Sequence, residues 1–285
     1  MTIATHLIIV CCHAIYLGPD SSDESNWLIE PFQKGETGTY SAHVEAGVRE
    51  LAADESALLV FSGGPTKKQR TDQSEGDGYL KIAVEHGLFG LETSPPSLRQ
   101  RIFVDRFATD SYQNILCSLV QFPLFAQEFL DRSTNTTTTL ESSGSSHRSN
   151  PSLNQNQLVF PSKLTIISHE FKRARFLDLH LPALRWTRET NYIGINPPFD
   201  AARMAEIETG DRLRGYGAWE KDVYGVGEVL TRKRKARDWD EDRFRADVLQ
   251  KLKVSDEARR KLENVVFRRA GGDSNRREVE KMPWE

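Results

Sequence analysis

The chain has 285 residues, of which 38% are hydrophobic and 28% charged, with a formal net charge of -3. A composition this polar can still fold around a core, but its balance of charge argues against a nucleic-acid or anionic-membrane surface spread over the whole molecule. Its three cysteines, Cys11, Cys12 and Cys117, form neither a disulfide framework nor a spaced metal-ligand set, and fit a reducing compartment.

The first apolar run, Leu7 to Cys12, is continuous rather than alternating, which is the pattern of a strand buried on both faces. The wider apolar stretch Leu7 to Tyr16 lacks a basic flank, is interrupted by His13, is followed by acidic Asp20 to Glu24, and is shorter than the roughly 20 residues that span a bilayer. The expectation is a soluble, cytoplasmic protein with no membrane partner. Ala57 to Phe61 repeats the buried-strand pattern, as do Ile102 to Asp105 and Leu164 to Ser168, with a weaker copy at Tyr192 to Ile195. Between them, apolar residues recur at helical spacing over Ser41 to Ala52, Glu75 to His86, Ser111 to Leu130 and Phe171 to Leu181, where Pro182 should stop the last helix. Strands alternating with helices of this length predict a Rossmann-like α/β fold, a doubly wound, mostly parallel sheet with helices on both faces.

Two segments stand apart. In 131–157, 18 of 27 residues are Ser, Thr, Asn or Gln, which predicts a disordered surface insertion. Beyond residue 197 a charged helical extension is expected, with basic Arg232 to Arg237 next to acidic Asp238 to Asp242. The acidic run should cancel the basic one, leaving a solvated charged face and no nucleic-acid partner.

In a parallel sheet, ligands bind beyond the C-terminal ends of the strands. The polar residues there are His13, then Ser62-Gly63-Gly64, Asp105-Arg106, Ser168-His169 with Lys172 and Arg175, and Asn196. Ser62, Gly63 and Gly64 suggest a backbone turn that could cradle an anion, with a tight turn without a ligand as the plainer alternative. Ser74 and Glu75 open one helix and Ser111 another, with Asn114 one turn in. Caps explain Ser74 and Ser111, but an asparagine in a first turn can also point into the crevice. Lys172 and Arg175 share a helix face at a helix start, a placement that opposes the dipole unless an anion sits there. His13 and His169 are candidate proton carriers, with Glu75 beside them. Cys11 and Cys12 point to opposite sides of a strand and cannot chelate together, so no metal site is expected. No Walker loop occurs, and Gly225-Val226-Gly227 lacks the rest of a dinucleotide fingerprint.

The order of Ser62-Gly63-Gly64, Ser74-Glu75, Ser111-Tyr112-Gln113-Asn114 and Ser168 to Arg175 resembles the YdcF-like family of "domain of unknown function 218" proteins (YdcF/SanA/ElyC-like), over residues 6 to 197. The glycines that family carries after its first strand are here Cys12-His13-Ala14, its Thr and Glu in the third motif are Ser111 and Gln113, and its histidine aligns with Lys172. The insertion and charged extension resemble a eukaryotic, fungal branch. The resemblance implies a Rossmann-like fold, and one bacterial member is associated with S-adenosylmethionine. Two functions are therefore expected as alternatives. One is an enzyme, a hydrolase or transferase acting on a small phosphate-bearing or nucleotide-like molecule. The other is a non-catalytic nucleotide- or S-adenosylmethionine-binding protein.

Overall fold

A computed structural model describes residues 3–91, 97–140, 158–270 and 281–285. Five parallel strands form its sheet: β1 (His6–Cys11), β4 (Ala57–Ser62), β5 (Ile102–Asp105), β6 (Lys163–Ser168) and β7 (Glu189–Gly194). A two-residue ribbon of β2 (Ile15–Tyr16) and β3 (Trp27–Leu28) stands outside it. The order is β5-β4-β1-β6-β7. The chain therefore steps outward from β1 to β5, returns across β1 to β6, and steps outward again to β7. That reversal puts a topological switch point between the C-terminal ends of β1 and β6.

Strand residues alternate strictly between two cores. Ile8, Val10, Cys12, Leu59 and Phe61 face helices α1 (Thr37–Ala53) and α2 (Glu75–Glu85) through Tyr40, Val44, Val48, Leu51, Tyr79 and Ile82. Leu7, Ile9, Cys11, Leu58 and Val60 face α3 (Ser111–Leu140) through Ile115, Leu116, Leu119 and Val120. The sheet is thus covered on both faces, as continuous apolar strands require. Gly47 lets α1 close on the strands, since a Cβ there would lie 2.6 Å from Val10 Cγ2.

The C-terminal extension belongs to the second core. Trp219, Leu230, Phe244, Val248, Leu262, Val265 and Trp284 join the cluster that α3 forms with the sheet. Its helices include Ala201–Asp211, Glu228–Ala236 and Asp256–Val266.

Three sequence expectations change. α3 continues through Leu140, so the polar insertion begins inside a helix, and 141–157 lie outside the described residues. The segment after β6 is a 3-10 turn (Glu170–Lys172), a π-helical stretch (Arg175–His180) and a short helix (Leu181–Ala183), rather than one α-helix from Phe171. Pro182 sits in the first turn of that last piece instead of stopping it, a position where its missing N–H costs nothing. Among the described residues, no helix is long and apolar enough to cross a membrane.

Candidate functional site

The switch point holds a histidine cluster. His13 follows β1, His169 follows β6, and His43 reaches in from α1. Ring centroids are 4.5 Å apart for His13 and His169, 5.0 Å for His43 and His169, and 5.7 Å for His13 and His43. Tyr40 packs edge-on against His169 and donates its hydroxyl to Glu36, 2.8 Å away. Glu36 Oε2 also lies 3.4 Å from His169 Nε2.

Lys172 completes the group. The 3-10 turn after β6 returns its ammonium towards β1, where Nζ donates to His13 Nδ1 at 3.4 Å. An ammonium has no acceptor, so His13 Nδ1 must accept and Nε2 carries the proton that faces Ser168 Oγ at 3.2 Å. By the same reasoning His43 donates Nε2–H to the Ile195 carbonyl at 3.0 Å, which leaves its buried Nδ1 without a partner. Both His169 ring nitrogens are also buried without a hydrogen bond.

Burial sets the electrostatics. It pulls Lys172 down to about 7, and the neighbouring Arg175 guanidinium adds to the shift. Burial, reinforced by Lys172, holds His13 and His169 well below their ordinary value, and burial with the neighbouring His169 does the same to His43. Among the described residues no carboxylate lies within ion-pair distance of Lys172. The site at neutral pH is a lysine near its titration midpoint facing three neutral imidazoles, with the Glu36 carboxylate behind His169. His43 and His169 are buried, whereas His13 and Lys172 are partly exposed, so an incoming ligand meets those two first.

The residues after β4 form a second, structural group. Gly63 N–H donates to the Asp105 carbonyl at 3.0 Å and Gly64 N–H to the Ala108 carbonyl at 2.7 Å. Both donors of the expected anion cradle are therefore spent. The glycines serve close packing instead, since a Cβ on Gly63 would come within 2.8 Å of both Cys12 and Glu75. Ser62 is fully buried and donates to Asp105 at 2.7 Å, and Asn114 turns its amide onto the Ser62 carbonyl at 2.8 Å rather than into the crevice. Ser74 caps α2 through the Asp77 N–H. Glu75 accepts from Thr66 at 2.6 Å and is pushed up by burial. It stands across Gly63 from the turn that carries His13.

Ser111 and Arg175 are engaged elsewhere. Ser111 Oγ pairs with His180 Nε2 at 2.8 Å. Arg175 forms an ion pair with Asp211 in which both side chains are 11% exposed. It is a structural partner of the extension, so Lys172, and not Arg175, is the cation available to an anion.

The structure thus brings together His13, Ser168, His169 and Lys172, places Glu75 one strand away, and turns Ser62, Gly63, Gly64, Ser74, Asn114, Ser111 and Arg175 to other partners. Sequence reasoning missed Glu36, Tyr40 and His43. Their signal was present: with Gly47 they recur at spacings of four, three and four, one helical face of α1. Among the described residues no three His, Cys, Asp or Glu side chains are grouped to hold a metal ion. The cysteine thiols are buried and their pKa values raised, Cys11 to about 12.

No family model matches the chain, and no solved structure matches it. It is similar to an uncharacterised protein of Saccharomyces cerevisiae (YOR238W), 25% identical over 235 residues that make up 67% of each chain.

Proposed function

We propose that the protein binds a small phosphate-bearing or nucleotide-like anion at the switch point, and moves protons through Lys172 and His13 during hydrolysis or group transfer on it. One observation carries this reading: a largely desolvated lysine at the ligand-binding edge of a parallel sheet, with Glu36 acting on it only from beyond ion-pair distance. A half-buried ammonium with no ion-pair partner is costly, and an anion would supply that partner. The one N–H of the neutral His169 ring, which has no partner, offers it a further hydrogen bond. The resemblance to YdcF-like proteins points to the same edge. S-adenosylmethionine fits less well, because its sulfonium would share the crevice with Lys172.

A thermal-shift screen of phosphorylated metabolites, nucleotides and S-adenosylmethionine tests the proposal, since a ligand that binds only the native state raises its melting temperature. Lys172→Met should lose the shift given by phosphate-bearing compounds. Wild-type affinity for them should fall as pH rises through about 7, where Lys172 loses its proton. Stabilisation by such compounds that survives in Lys172→Met would overturn the reading.

A further inference from the structure

The C-terminal extension contributes cations to the same edge of the sheet. Helix Glu228–Ala236 is fixed over the start of α3 by Arg234, whose Nε donates to Asp110 at 2.6 Å in a pair with both side chains 12% exposed. One residue past that helix, Arg237 Nη1 donates to the Thr109 carbonyl at 2.7 Å. Thr109 follows Ala108, whose carbonyl takes the Gly64 N–H, so the Arg237 guanidinium is held next to the turn that ends β4. Lys233 and Arg237 are four apart and share a helical face. Among the described residues neither has a carboxylate within ion-pair distance, and the Thr109 bond is the one side-chain hydrogen bond of Arg237. Both are exposed at the rim, in contrast to Lys172 inside it.

Their fields converge on the site. Arg237 and Lys172 both act on Glu75, Arg237 lowers Lys172, and Arg237 and Arg175 both act on Lys233. Two carboxylates of the acidic run beside them are turned to other partners. Asp242 pairs with Arg245 at 3.2 Å and Glu241 with Arg269 at 2.5 Å, and these residues line a separate groove of about 740 Å³ with Lys68 and Trp239.

Resting on the anion-binding reading above, we infer that the ligand carries at least two linked phosphates. One phosphate meets Lys172 at the switch point, and the next is held at the rim by Lys233 and Arg237. A single phosphate satisfies Lys172 but leaves the two rim cations unused. Arg237, with a planar fork only partly occupied, is suited to a bidentate phosphate contact.

The test uses the full chain and two probes, inorganic phosphate and inorganic pyrophosphate, with calorimetric affinities at low and at physiological salt. Wild type should bind pyrophosphate at least tenfold more tightly than phosphate, with the gap narrowing at higher salt because the rim is exposed. The Lys233→Gln/Arg237→Gln double variant should lose about tenfold in pyrophosphate affinity while phosphate affinity changes less than about twofold. Lys172→Met should lose both anions. Lys233→Gln alone, which breaks no hydrogen bond of the fold, should lose a smaller part of the pyrophosphate preference and controls for misfolding of the double variant. Unchanged pyrophosphate affinity in the double variant, with both anions lost in Lys172→Met, would overturn this inference and leave the anion site standing. Failure of wild type to bind either anion would overturn both.

Discussion

His169 shows how much of this site is decided by individual groups. Its ring lies among His13, His43, Tyr40 and Phe171, and neither nitrogen has a hydrogen bond. Its pKa in the folded chain is lowered, so as pH falls through about 6.5 the unfolded chain takes up a proton that the native chain does not. Native stability is therefore complete above that value and lost below it. His169→Phe removes this term, and the melting temperature of the variant should fall less than that of wild type between pH 7.5 and 5.5. The difference is bounded by about 1.4 kcal/mol per pH unit for one proton. Equal losses in the two proteins would mean that His169 is protonated in the native state, paired with Glu36. Lys172 works in the same direction at higher pH. Between about 7 and its ordinary 10.5 the unfolded chain holds a proton that the native chain has released, so stability rises with pH across that window.

At the scale of elements, the site depends on how closely helices approach strand ends. α2 begins directly against β4 and β5. A Cβ on Gly76 would lie 2.6 Å from the Phe61 carbonyl oxygen and 2.7 Å from Val104 Cγ1. One of those neighbours is backbone and cannot rotate away. Gly76→Ala should therefore cost about 2 kcal/mol despite the better helix propensity of alanine, and displace Glu75 with it. Chemical denaturation measures the cost, and a neutral or stabilising result would show that α2 can shift without strain. The strand runs and the helices α1 and α2 were legible in the sequence because each carries its own apolar period. The pieces after β6 were not, because the switch from a 3-10 turn to a π-helical stretch follows from packing Phe176 and His180 against Tyr112, Tyr192 and Trp219, and no local period encodes that.

For the whole molecule, the extension and the α/β layers share one core. Trp284 is buried with its indole N–H on the Leu184 carbonyl at 2.7 Å, and Phe244 and Leu262 are fully buried in the cluster formed by α3 and the sheet. A chain ending at Pro197 would expose that face. It should lose cooperative unfolding, because that face of the sheet would keep only α3 and the short pieces after β6 to cover it. A single sharp calorimetric transition in the truncated chain would show instead that residues up to 197 fold as a unit.

The sequence by itself determined the α/β class, the parallel sheet and the edge at which to look for chemistry, because buried parallel strands and amphipathic helices are written in local apolar periodicity. It also brought out His13, Ser168, His169 and Lys172, since polar residues just past strand ends are conspicuous against apolar runs. Tertiary structure alone decided which of them meet. Hydrogen-bond donors go to the nearest geometrically suitable acceptor, and that acceptor is fixed by packing across long sequence distances. Gly63 and Gly64 gave their N–H groups to carbonyls of the Asp105 to Ala108 segment, Asn114 turned to Ser62, and Arg175 found Asp211. The same packing carried His43 into the cluster and set Arg237 over Thr109, 128 residues away in the chain.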